Sequence, residues 1–191
     1  MSSAPIAVLD TDVLVLLVGD EKSKTRTEIV RGRIQAMKEK GYSFWVPVPV
    51  LAELATAGAS LAAIAKALSP KLNGLRTVEL GVAAVEPLGQ MVAARIAAAK
   101  SGGKPYEGSR AAMKFDAMIA AIAHTLQAKF LLTANTRDFT VFFKAVNSST
   151  EIHRADVPDL AFAYQQQLLP AETESTANAD VIPLPVQNSK S

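Results

Sequence analysis

Five acidic residues stand where their neighbours make chemistry plausible: Asp10, Asp12, Glu53, Asp116 and Asp138. Asp10 and Asp12 are caught between two apolar runs, Ile6 to Leu9 and Val13 to Val18, with no turn residue between. A carboxylate so placed sits at the edge of a core, where burial without a partner is costly or forces protonation. Either aspartate would serve as the cap of a helix starting near Val13, but one cap explains one aspartate and not two. Asp116 has Ala112, Met113, Ile119 and Ala120 three and four residues away, which puts it in the middle of an apolar helix face. A carboxylate there needs a cation, either an arginine or lysine or a metal ion. Glu53 falls near a helix start, where the dipole alone would favour it, and Asp138 follows Asn135 as a turn former. Taken together, these oxygen donors, with no cysteine and only two histidines in the chain, describe a hard-cation site, for Mg²⁺ or Mn²⁺ before Zn²⁺. Such sites usually act on phosphates, the metal activating water and neutralising charge on the phosphoryl oxygens.

The elements that would position these residues alternate between strand and helix. Ile6 to Leu9 reads as a buried strand, followed by a helix with a possible break at Lys22 to Ser23. A second helix runs from about Thr25 to Lys40 and ends at Gly41. Tyr42 to Val46 is the next strand, and Pro47 and Pro49 open the helix that carries Glu53. Ser60 to Leu68 is helical, Leu75 to Leu80 a third strand, and Val82 to Lys100 an alanine-rich helix interrupted or started at Pro87. Lys100 to Pro105 is a loop, Ser109 to Gln127 a helix, Phe130 to Thr133 a strand and Thr136 to Phe142 a short turn or helix. A weak extended piece near Glu151 closes the series. This order predicts a three-layer α/β/α sandwich with a mainly parallel central sheet. Sites in such sheets form beyond the carboxyl ends of the strands, where Asp10, Glu53, Asn135 and Asp138 all fall. Residues 1–165 are expected to form the domain and 166–191, rich in Ala, Glu, Thr, Ser, Asn, Pro and Gln, a disordered tail.

Bulk composition narrows the class. The 191 residues are 49% hydrophobic, enough for a core, and the net charge is only +2. Seven basic residues lie between Lys22 and Lys40, the pattern of a solvated helix face. The absence of cysteine excludes disulfides, thiolate metal sites and cysteine nucleophiles, and fits a reducing cytoplasm. No run of about 18 apolar residues is present, so no membrane association is expected, and the start, Met-Ser-Ser-Ala-Pro, lacks the basic region of a signal peptide. There is no Gly-x-Ser-x-Gly elbow, phosphate-binding glycine loop or dinucleotide fingerprint.

Four segments also resemble a known family. Val8-Leu9-Asp10-Thr11-Asp12 is similar to the opening signature of PIN-domain nucleases, and Val48-Pro49-Val50-Leu51-Ala52-Glu53-Leu54 resembles their glutamate-bearing helix. Lys114 to Ala123 is close to the aspartate helix, and Leu131 to Phe139 resembles the terminal motif of the VapC toxin branch. The resemblance implies a divalent-metal ribonuclease in which Asp10, Glu53 and Asp116 hold Mg²⁺ or Mn²⁺ directly or through water. Asp138 would share in catalysis. Thr11 and Asp12 would shape the loop, with Asp12 bonding the network, and Thr133 would line the site. Asn135 stands where many family members have aspartate; its amide oxygen can ligate but adds no charge. Lys104, Arg110 and Lys114, flanking the Asp116 helix, are candidate RNA phosphate contacts. Toxins of this type pair with a small antitoxin and form dimers, so both are expected partners. A PIN nuclease without an antitoxin and a non-catalytic binding module are the alternatives.

Overall fold

The computed structural model describes residues 4–18, 24–69, 74–102 and 109–158. The possible break at Lys22 to Ser23, Lys104 with most of its loop, and the tail expected from 166 lie outside the described residues. All described residues belong to a compact unit that ends at Pro158.

Five short strands form one fully parallel sheet: β1 (Ile6–Leu9), β2 (Ser43–Pro47), β3 (Leu75–Val78), β4 (Phe130–Thr133) and β5 (Glu151–Arg154), in the order β3-β2-β1-β4-β5. The registers pair Val8 with Trp45 on one side and with Leu131 on the other. Parallel strands covered on both faces need continuous apolar runs, and Ala7, Val8, Leu9, Leu131 and Leu132 are accordingly buried. The helices are α1 (Thr11–Val18), α2 (Lys24–Glu39), α3 (Val48–Thr56), α4 (Leu61–Ala67), α5 (Val85–Lys100), α6 (Arg110–Thr125) and α7 (Thr136–Ala145). α1 packs with α2, α3 and α4, whereas α5, α6 and α7 pack with one another, giving the three layers of the sandwich. β1 leads outward to β2 and β3, and the chain then returns to lay β4 on its other side. The order therefore reverses between β1 and β4, which opens a crevice at their carboxyl ends.

Local chemistry explains where the elements stop. Gly41 takes φ 81°, the left-handed turn that ends α2. Pro47 closes β2 and is at once the N-cap of α3, so strand and helix meet without a loop and Glu53 is carried to the sheet edge. α7 runs on to Ala145, three residues past the expected Phe142, because Phe142 and Phe143 are buried in the core. Val82–Lys100, a 3₁₀ turn followed by α5, is long and apolar enough to cross a membrane by length and composition. Only part of it faces the domain: Met91 and Arg95 are buried, whereas Val82, Val85 and Ile96 are exposed.

Candidate active site

Asp10 follows β1 directly. Its backbone amide extends the sheet ladder to the Leu132 carbonyl at 3.0 Å, and its carbonyl accepts from Val13 and Leu14 to start α1. The side chain is thereby fixed at the β1/β4 crevice and is 3% exposed. The Thr11 amide donates to Asp10 Oδ1 at 2.7 Å and the Thr133 hydroxyl to Oδ2 at 2.7 Å. Thr133, the last residue of β4, is itself buried and accepts from the Asn135 amide at 2.9 Å. Thr11 turns its hydroxyl the other way, donating to Glu53 Oε2 at 2.5 Å. A single network thus joins the end of β1, the end of β4 and α3.

Asp116, 8% exposed on α6, enters this corner through charge. Burial pushes the Asp10 carboxyl well above the usual carboxylate range, and repulsion from Asp116 pushes it further. The hydrogen bonds from Thr133 and Thr11 oppose that shift without cancelling it. A pair of buried like charges demands a proton or a cation between them. The surrounding donors are carboxylate and hydroxyl oxygens, the set that suits a hard divalent ion. They border one corner rather than forming a finished cage: among the described residues no three His, Asp or Glu side chains are grouped closely enough to hold a metal ion.

The other predicted residues divide. Asn135 caps α7, its Oδ1 accepting from the Asp138 amide at 3.4 Å and its Nδ2 donating to Asp138 Oδ2 at 3.2 Å. Asp138 is 1% exposed and forms an ion pair with Arg95 of α5 at 3.1 Å, with Arg137 at 3.5 Å. It is therefore committed to a guanidinium, unlike Asp10. Asp12 is exposed on the first turn of α1, and the hydrogen bonds in the Asp10 network come, among the described residues, from Thr11 and Thr133. Among the described residues Asp12 is not hydrogen-bonded into this network, but its charge repels that of Asp10 and is itself offset by Arg26. Arg110 and Lys114 are exposed on α6, up to two turns before Asp116.

Arg95 was not anticipated. It lies one turn from buried Met91, a lone cation on an inward face, the same signature that marks Asp116. Two of the basic residues on α2 also turn inward. Arg33 donates to the carbonyls of Arg154 and Val157, the latter at 3.0 Å, and Arg26 pairs with buried Asp156 at 2.5 Å. They are seven residues apart and so share one face.

A parallel α/β sheet with an acidic corner at its topological switch point has that corner where ligands of such sheets bind. The PIN domain profile matches residues 7–145, and the chain belongs to the PIN domain family. Three solved structures share the fold. A chain of the VapBC2 complex from Rickettsia felis, bound to a promoter DNA fragment, is 19% identical with TM-score 0.50, covering 77% of this chain and 98% of that one. A chain of DNA-bound VapBC from Salmonella typhimurium is 21% identical with TM-score 0.50, covering 78% and 98%. For VapBC-1 from nontypeable Haemophilus influenzae the values are 18%, 0.51, 77% and 97%. No curated protein matches the chain in sequence.

Proposed function

We propose that this chain is a divalent-metal-dependent endoribonuclease and the toxin of a toxin–antitoxin pair. The observation that carries the reading is the buried Asp10 carboxylate, facing the charge of Asp116 and held by hydroxyl and amide donors alone among the described residues. Asp10 and Asp116 are assigned as direct ligands of Mg²⁺ or Mn²⁺, with Glu53 completing the set directly or through water. When bound, the ion supplies an activated water and neutralises charge building on the RNA phosphodiester. Thr133 fixes which oxygen of Asp10 faces the corner, and Thr11 ties Glu53 to the same loop. Asn135 and Asp138 are assigned a positioning role: locked to Arg95, they hold the β4–α7 turn from which Thr133 is presented. This departs from the catalytic share expected for Asp138, because its charge is already matched within the protein.

The likeness to chains of VapBC complexes supports a small antitoxin as partner. Val82 in the 3₁₀ turn before α5 and Val85 at its first position, 91% and 57% exposed, support self-association as a homodimer. A small reading frame abutting the gene would support the antitoxin, and its absence would favour an RNA-processing nuclease. The activity is tested by incubating RNA with wild type, Asp10→Asn and Asp116→Asn in Mg²⁺, Mn²⁺ or EDTA. Cleavage by wild type alone, and only with metal, is the expected result. Equal cleavage by all three, or none from any, would overturn it.

A further inference from the structure

Asp156 is held by more cation than its single charge needs. Arg154 donates to Oδ1 at 3.0 Å and Arg26 to Oδ2 at 2.5 Å. The segment is also fastened without either side chain, because buried Arg33 donates to the carbonyls of Arg154 and Val157. As a fastener Arg26 is redundant, and an ion pair with a half-exposed arginine adds little stability in any case. Two guanidinium groups on one carboxylate leave a surplus positive charge, and its position gives that charge something to do.

The sheet fixes that position. Arg154 is the register partner of Thr133, and the Ala155 amide donates to the Thr133 carbonyl at 3.0 Å. Asp156 therefore leaves β5 just beyond the threonine whose hydroxyl holds Asp10. β5 and β1 are two strand spacings apart, which sets the Arg26 guanidinium on the order of 10 Å from Asp10. Asp12 couples the two ends. It lies in the first turn of α1, which packs on α2, and Arg26 lies in the first turn of α2. Its charge repels Asp10 and Asp156 and is offset by Arg26.

A unit charge about 10 Å from a divalent ion changes the ion's binding severalfold, even through water. We propose that Arg26 sets the divalent-cation affinity of the acidic corner: held on Asp156, it offsets the charge of Asp12 and keeps the ion bound more weakly than the acids alone would hold it. Arg26 is thus a positioning residue, acting through Asp12 and touching no reacting atom. The inference rests on the reading of Asp10 and Asp116 as cation ligands.

The test is calorimetric titration of the full chain with Mn²⁺ alone, near neutral pH and without RNA. In low salt Arg26→Gln should bind Mn²⁺ about three- to tenfold more tightly than wild type, and Arg26→Lys, which keeps the charge, should match wild type. Asp156→Asn breaks the same ion pair but removes a negative charge, so it should bind Mn²⁺ more weakly. A purely structural role for the pair predicts the same direction in both variants, and that result would overturn the proposal. Asp12→Asn should also weaken binding, and combining it with Arg26→Gln should bring the affinity back toward wild type. The ratio between Arg26→Gln and wild type should shrink near 1 M salt, where the Debye length is about 3 Å; a ratio unmoved by salt would overturn the proposal as well. Melting curves in EDTA confirm that each variant folds. The two readings fail separately. No Mn²⁺ binding by wild type removes the cation reading and this inference with it, whereas wild-type binding that Arg26→Gln leaves unchanged removes the inference alone.

Discussion

Asp10 and Asp156 both lie just past the carboxyl end of a strand, β1 and β5, and both are buried. Asp156 meets two guanidinium groups, Arg26 at 2.5 Å and Arg154 at 3.0 Å. Burial raises its carboxyl, but the bonds from Arg154 and Arg26 outweigh that and hold it below the usual range. Asp10 has a hydroxyl, an amide and a second acid nearby, and is pushed the other way. Asp138, next door, has Arg95. Where an aspartate at this edge fastens two segments together, the chain supplies the cation. At Asp10, among the described residues, it does not, and the unmatched charge is what a ligand from outside would find.

The comparison breaks most visibly at Arg95 and Asp138. Removing one partner of a buried pair strands the other, at a cost of about 3–5 kcal/mol. Arg95→Met or Asp138→Ala should therefore lower the melting temperature by on the order of 10 °C. Replacing both with apolar residues should recover much of that loss, which calorimetry of the double variant checks. Thr133→Val comes next. It removes the donor to Asp10 and the acceptor for the Asn135 amide, and leaving buried groups unmatched costs about 1–3 kcal/mol each. Chemical denaturation would measure it.

Asp156→Asn should cost about 1 kcal/mol, because both arginines are half exposed. Its pH dependence carries the sign. A lowered folded pKa gives stability present above the unfolded value and lost as pH falls through the folded one. The gap between wild type and Asp156→Asn should thus be open at neutral pH and close in acid, as melting curves across that range would reveal.

These contrasts were unevenly legible in the sequence. Asp10 was readable because two apolar runs trap it, and Asp116 because helical spacing sets it among core residues. The same rule applied to Arg95, but in an alanine-rich helix the apolar face contrasts too little with the solvent face to mark an inward cation. Arg26 and Arg33 were hidden differently, inside a basic segment whose simplest reading is solvation. Their partners, Asp156 and the carbonyls of Arg154 and Val157, lie more than a hundred residues away, beyond any local pattern. The strand order was not written locally either, but once β1 lies between β2 and β4 the acidic corner follows from it.

The smallest expected effect is of opposite sign and bears on the central claim, that Asp10 is an uncompensated charge kept for a cation. A raised folded pKa means stability that is full below the ordinary carboxylate pKa and is lost as pH rises through the raised value. Near neutral pH in EDTA, Asp10→Asn should therefore melt above wild type, by about 2–4 °C for each kcal/mol regained. Adding Mn²⁺ should raise the melting temperature of wild type, as any ligand of the folded state does, and leave Asp10→Asn unmoved. Melting wild type and Asp10→Asn side by side, with and without Mn²⁺, is the most direct measurement. A lower melting temperature for Asp10→Asn in EDTA, together with equal Mn²⁺ shifts in both proteins, would contradict the claim.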